Sequence, residues 1–302
     1  MNDLLIVGTG ALACLFAARL AARGMAVNML GSWREGLAAL RNYGVTLVES
    51  DGSQHSYPVT VVDDAVRCNQ SRYALVLVKS WQTERAARQL ANCLHPDGLA
   101  LTLQNGLGNG ETLAAVLGPE RVAQGITTTG ATLLSSGRVR PGGEGTISLE
   151  NNPRLEPIQN MLTASGFRVE TVGDVSALLW SKLVVNAAIN PLTAILKINN
   201  GILLDLPSAR KLSADLANEV AAVANAIGVD LSHLDPVAIS AQVAANTARN
   251  QSSMYQDILR GAPTEIDAIC GEVVRIGEQA GIPTPVNYTV WRLVHAFVEK
   301  NT

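Results

Sequence analysis

Leu4-Leu5-Ile6-Val7-Gly8-Thr9-Gly10-Ala11-Leu12-Ala13 is the stretch that decides the fold. Four apolar residues without alternation read as a parallel strand buried on both faces. The glycines end the strand, and Ala11 to Arg23 follows as an Ala/Leu-rich helix closed by Gly24. Ala26 to Leu30 supplies a second strand and completes a β-α-β unit. Within it, Gly8, Thr9, Gly10, Ala11, Leu12 and Ala13 fit the G-x-G-x-x-G/A fingerprint. The first glycine allows the tight turn, and the second lets a pyrophosphate approach the backbone. The small Ala13 lets helix and strand pack closely. A helix N-terminus then faces the phosphates. The string predicts a bound dinucleotide; the bland alternative is a glycine-rich turn that holds nothing.

The pattern continues with a strand at Ala74–Val78, a helix from about Thr83 to Leu94 and a strand at Leu99–Leu103. Asp51-Gly52 lies between Val45–Val48 and Val59–Val62 and predicts a hairpin inserted in the wound sheet. A second hairpin is predicted from Ser135–Arg140 and Gly145–Leu149, turning near Gly142-Gly143. After about Gly173 strand-like runs give way to helical segments: Ser176–Leu196, Ala209–Ile227, Pro236–Ala248, Thr264–Ala280 and Pro285–Lys300. The expected architecture is therefore an α/β Rossmann-type domain with a doubly wound, mainly parallel sheet over residues 1–172. An all-α domain is expected over residues 173–302, with Ala-rich helices of a kind that suits a homodimer surface.

The composition of the 302 residues bounds the class of protein. Lys plus Arg is 23 against 26 for Asp plus Glu, a net charge of −3, which argues against a nucleic-acid binder. With 47% hydrophobic and only 16% charged residues, disorder is excluded and a large core is expected. Aromatics are 4%, so that core must be Ala, Leu, Val and Ile. Cys14, Cys68, Cys93 and Cys270 form no C-x-x-C pair, and the four histidines show no ligand spacing. No metal site and no disulfide framework are expected, and the thiols are expected to be reduced. No apolar run is read as a membrane span. The N-terminal stretch carries Asp3 and meets Arg19 too early to be a leader. A cytoplasmic location is expected.

The end of the second strand bears on the choice of nicotinamide cofactor. An NAD site usually places Asp or Glu there for the ribose 2′-hydroxyl. Here Met29-Leu30-Gly31-Ser32-Trp33-Arg34 has no acid before Glu35, and Ser32 and Arg34 are suited to a 2′-phosphate. NADP(H) is the expected cofactor. Lys79 and Gln104-Asn105-Gly106 follow two later strands, at the carboxyl ends where open α/β sheets bind ligands. An exposed lysine and an ordinary Asn-Gly turn are the bland alternative.

Trp180–Thr193 is the most informative segment beyond the first strand. At about 100° per residue, Lys182, Asn186, Asn190 and Thr193 share one sector of an otherwise apolar helix. Such groups are costly there unless they face partners or a ligand. A solvated stripe would sooner use Glu or Lys than asparagine. Pro191 adds a kink and a freed carbonyl. Asn250–Met254 and Thr264–Asp267 also stand out, although Ser252 or Ser253 reads as a helix cap and Thr264-Glu265 as a helix start.

In order along the chain, Gly8–Ala13, Val78-Lys79-Ser80-Trp81-Gln82, Gln104-Asn105-Gly106, Thr127-Thr128-Thr129, Lys182–Thr193, Asn200-Gly201, Ser252–Asp257 and Thr264–Asp267 resemble the ketopantoate reductase family (2-dehydropantoate 2-reductase) over nearly the whole length. The resemblance implies substrate held between the two domains. It also implies NADPH as hydride donor to the C2 ketone of ketopantoate, giving pantoate for pantothenate and coenzyme A biosynthesis. It makes Lys182 the proton donor and substrate contact, and Asn105, Asn186, Asn190, Asn200 and Ser253 substrate-binding residues, Asn105 also lying near the nicotinamide. Lys79 and Glu265 match cofactor-contacting positions. The sequence departs from many relatives in placing its arginine at Arg34 rather than directly after the second strand. The alternatives are an NADP-dependent reductase of another small 2-oxo acid and a non-catalytic NADP(H) sensor. A sensor would have no need of Lys182 and its amides.

Overall fold

The apolar tetrad forms β1 (Leu4–Val7) of an eight-stranded sheet in the computed structural model, which describes residues 4–64, 68 and 70–301. Asp3 lies outside the described residues. Two units are present: residues 1–104 with 109–175, and residues 105–108 with 176–302.

In the first unit, α1 (Ala11–Ala21) follows the glycine loop and leads to β2 (Asn28–Leu30). Then come α2 (Arg34–Tyr43), β3 (Val45–Val48), β4 (Gln54–Tyr57), β5 (Thr60–Val62), β6 (Ser71–Val76), α3 (Thr83–Cys93), β7 (Leu94–Thr102), α4 (Asn109–Leu117) and β8 (Val122–Thr127). The unit ends with β9 (Ala131–Ser135), β10 (Arg138–Pro141), β11 (Thr146–Glu150), α5 (Glu156–Ala164) and β12 (Arg168–Val172). The main sheet runs β12-β11-β8-β7-β6-β1-β2-β5 and is parallel except where β11 meets β8. The order reverses at β1, with β2 on one side and β6 on the other, so the glycine loop sits at the switch point where such sheets bind ligands. Burial on both faces explains the unbroken apolar run. Leu4 and Ile6 join the cluster under α1, whereas Leu5 and Val7 join the one containing Ala86, Leu90 and Leu113 of α3 and α4.

Both predicted hairpins pair differently. Asp51-Gly52 does turn the chain, with Ser53 N donating to Asp51 Oδ1 at 2.9 Å. The returning strand, however, is β4, antiparallel to β3 in a separate four-stranded sheet, while Thr60–Val62 joins the main sheet beside β2. Gln54–Tyr57 is a largely exposed edge strand and needs no apolar character, which hid it. In the second case β9 pairs with β10 around Gly137, whose φ of 71° suits a tight turn, and Gly142-Gly143 carries the chain back to β11 in the main sheet.

The expectation of four reduced thiols is also corrected: Cys68 and Cys93 form a disulfide, with Cα atoms 5.1 Å apart. They meet because β6 and β7 pair Ser71 with Leu94, which brings the residues just before each strand together. Cys14 and Cys270 are free and buried. Burial pushes the Cys14 thiol up to about 12 and raises Cys270 as well, so neither supplies a thiolate.

The second unit is built around α6 (Val175–Leu196), followed by α7 (Ile202–Asp205), α8 (Pro207–Ala226), α9 (Pro236–Asn246), α10 (Ser253–Leu259), α11 (Glu272–Ala280) and α12 (Pro285–Asn301). The predicted helix 264–280 instead opens with a π-helical turn at Asp267–Gly271. By length and composition α6 is long and apolar enough to cross a membrane, and most of that stretch is buried within the unit. Its Trp180, Leu183, Val184, Ala187, Ala188 and Leu192 form the centre of this unit's core. Asp235 caps α9 by accepting from the N–H groups of Val237 and Ala238. Glu219 of α8 accepts from Val286 N and Asn287 N at 2.9 and 2.8 Å, capping α12 and locking it to α8.

Candidate active site

In the first unit, Gly8 adopts φ +134°, and a Cβ there would stand 3.1 Å from the Leu77 carbonyl carbon and oxygen, so only glycine fits. Gly10 is the opposite case, because nothing lies within 4 Å of where its Cβ would be. It is the N-cap of α1 and offers no side-chain cap, so the first N–H groups of the helix are left for an anion. Ala13 is fully buried, as close packing of helix on strand requires. Thr9 Cγ2 would stand 2.6 Å from a Cβ on Gly31, which keeps the end of β2 small. Ser32, Trp33 and Arg34 beyond it are exposed, and Arg34 opens α2. Gln104 Nε2 donates to the Val78 carbonyl at 3.0 Å and to Thr83 Oγ1 at 2.8 Å, pinning the turn that carries Lys79. Open backbone at Gly10, uncapped donors and no acid after β2 before Glu35 fit a dinucleotide.

In the second unit, α6 presents Lys182, Asn186 and Asn190 four residues apart on one face. Burial lowers the Lys182 ammonium to about 8, although the Glu265 carboxylate opposes this shift. Glu265 is buried and accepts from Asn105 Nδ2 at 3.4 Å. Asn105, Lys182 and Glu265 therefore come together, although 160 residues separate the asparagine from the glutamate. The Asn105-Gly106 turn is seated by Leu107 N donating to the Ala268 carbonyl at 2.9 Å, and Gly106 has φ +79°. The adjoining π turn is anchored through Asp267 Oδ1, which accepts from Trp291 Nε1 at 2.7 Å and meets His295 Nε2 at 2.8 Å.

Thr193, read in the sequence as part of the polar stripe, plays another part. It is fully buried, 3.0 Å from the carbonyl oxygens of Ile189 and Asn190 and 2.7 Å from Ser252 Oγ. Ser252 caps α10 by accepting from Tyr255 N, so this pair ties the start of the helix bearing Ser253 to α6. Nδ2 of Asn186 and Oδ1 of Asn200 are buried without a hydrogen-bond partner among the described residues. Thr247, to which Asn200 Nδ2 donates at 2.9 Å, went unremarked in the sequence because a threonine ending a helix carries no signal of its own.

The comparisons with known proteins decide the family. The sequence model described as Ketopantoate reductase PanE/ApbA matches residues 4–154, and the one described as Ketopantoate reductase PanE/ApbA C terminal matches residues 174–299. The chain belongs to the ketopantoate reductase family. Membership makes it a nicotinamide-dependent oxidoreductase. It is 35% identical to a 2-dehydropantoate 2-reductase of Halobacterium salinarum across 96% of both chains. A 2-dehydropantoate 2-reductase of Archaeoglobus fulgidus is 39% identical across 72% of this chain and 74% of its own. Among solved structures, a PanE/ApbA family ketopantoate reductase from Ralstonia eutropha superposes with TM-score 0.90 at 31% identity, covering 98% of each chain. D-mandelate dehydrogenase with NADH and anilino(oxo)acetate superposes with TM-score 0.91 at 25% identity over the same shares.

The proximity of Glu265 to Lys182 has a testable sign. Removing the anion takes away the influence that favours the ammonium, so Glu265→Gln is expected to move the Lys182 titration below about 8. NMR of a lysine-labelled protein reads this directly. A titration unchanged or moved upward would show that the two groups are not coupled.

Proposed function

We propose that this chain reduces 2-dehydropantoate (ketopantoate) to pantoate with NADPH, the first unit holding the cofactor and the helical unit the substrate. The observation that carries this reading is Lys182, an ammonium held near neutrality beside Glu265 and Asn105 in a member of this family. Gly8–Ala13 would hold the pyrophosphate, with Ser32 and Arg34 at the 2′-phosphate and Lys79, Asn105 and Glu265 as further contacts. When bound, NADPH supplies the hydride for the C2 ketone. Lys182 stabilises the oxygen as it becomes an alkoxide and donates the proton that makes it a hydroxyl. Asn105, Asn186, Asn190, Asn200 and Ser253 orient the small anion. Cytoplasmic location and assembly as a homodimer through the helical unit complete the proposal.

The likeness to D-mandelate dehydrogenase supports a second reading, reduction of a different 2-oxo acid. Oxidation of NADPH and NADH measured against a panel of 2-oxo acids separates the two. Ketopantoate is expected to give the highest kcat/KM, and an aryl 2-oxo acid in that place would overturn the first reading.

The cofactor preference has its own test. With Gly31-Ser32-Trp33-Arg34 after β2, NADPH is expected to be used far better than NADH, and Arg34→Ala to raise KM for NADPH alone. Equal use of both cofactors by the wild type defeats the assignment. A strong preference that survives Arg34→Ala moves the 2′-phosphate contact to Ser32 or another residue.

A further inference from the structure

The amide of Asn200 is oriented by its neighbours rather than free to choose. Thr247 Oγ1 lies 2.7 Å from the Val243 carbonyl oxygen, which can only accept, so the single hydroxyl proton of Thr247 is committed there. Thr247 Oγ1 can then serve Asn200 only as an acceptor. The group 2.9 Å away must be the Asn200 NH₂, and the amide oxygen is turned to the other side. The backbone holds this arrangement in place: Asn200 N donates to the Asn250 carbonyl at 3.0 Å and Gly201 N to the Ala248 carbonyl at 3.2 Å. Asn200 is 7% exposed, and its Oδ1 is buried without a donor among the described residues. A buried acceptor left unpaired is destabilising, so a site that keeps one is built for a ligand that brings a donor.

A simple 2-oxo acid cannot satisfy it. Its carboxylate and ketone oxygens only accept hydrogen bonds, and they match the orphaned Nδ2 of Asn186 but not the oxygen of Asn200. A hydroxyl on the carbon chain supplies the missing donor. We propose that Thr247 is a positioning residue which fixes the Asn200 oxygen as a hydroxyl acceptor, and that it thereby makes the enzyme select 2-oxo acids bearing a hydroxyl group. This rests on the reading of Asn200 as a substrate contact.

The test compares kcat/KM within two matched pairs: ketopantoate against 3,3-dimethyl-2-oxobutanoate, and 4-hydroxy-2-oxobutanoate against 2-oxobutanoate. The wild type is expected to favour the hydroxylated member of each reduced pair by about tenfold or more. Thr247→Val frees the amide to rotate and is expected to lower that ratio by about tenfold, chiefly through KM of the hydroxylated acid. Thr247→Ser keeps a hydroxyl at the same place and is expected to retain the ratio, which a purely structural role would not require. A Thr247→Val ratio equal to that of the wild type overturns the inference, as does a wild type without preference. If ketopantoate is inert but 4-hydroxy-2-oxobutanoate is preferred in a Thr247-dependent way, the inference stands and the ketopantoate reading falls. If ketopantoate is reduced well and its ratio survives Thr247→Val, the reverse holds.

Discussion

Lys182→Ala is expected to lower kcat for ketopantoate reduction by about 10²- to 10⁴-fold, the usual worth of general acid catalysis, while NADPH binding persists. On the proposed reading the ketone oxygen gains negative charge as the hydride arrives, and the Lys182 ammonium neutralises and protonates it. Lys182→Arg is expected not to restore the rate, because a guanidinium stays protonated in the working pH range and cannot give up its proton. The pH profile follows from burial. With the lysine lowered to about 8, the wild-type reduction rate should fall as pH rises through that value, and Lys182→Ala should lack the limb. Stability carries the opposite sign. The folded value lies below the ordinary 10.5, so the charged lysine opposes folding below about pH 8, and that opposition lifts as pH rises toward 10.5. Lys182→Met is therefore expected to raise Tm at pH 7 while removing activity. Near-normal kcat in Lys182→Ala would remove the lysine from the chemistry.

Gly106→Ala is expected to lower kcat/KM by about 10²-fold, the scale of loss when a site group moves by about 1 Å. The left-handed backbone at φ +79° disfavours any side chain, at a cost of about 1–3 kcal/mol. The added methyl would also meet the Ala268 carbonyl that seats the turn. Asn105 would then lose its place against Glu265. Asn105→Ala provides the comparison, since it should lose activity without the loss in Tm that Gly106→Ala shows. Wild-type kcat/KM in Gly106→Ala would show that the position of Asn105 is not critical.

Much of the first unit was legible because its signals are local. A glycine forced to φ +134°, a helix started on an uncapped Gly10 and an apolar run buried on both faces each act within a few residues. The stripe on α6 was legible for the same reason, since helical period alone aligns Lys182, Asn186 and Asn190. Strand partners were not, because Asp51-Gly52 specifies a turn without specifying which later segment returns beside β3. The Cys68–Cys93 disulfide was hidden for a related reason: it depends on the β6–β7 register, and no spacing between the two residues encodes it.

By itself, then, the sequence determined the β-α-β start, the glycine loop, the change to helices after about Gly173 and the chemistry available on α6. Those follow from backbone sterics and periodicity, which each residue carries wherever the chain goes. Only the tertiary structure decided that residues 105–108 belong with the helical unit, that Glu265 stands by Lys182, and that Thr193 serves Ser252. It also decided which way the Asn200 amide faces, through a proton already committed to Val243. Partners so distant in sequence are chosen by packing and by the inventory of donors and acceptors that packing brings within reach.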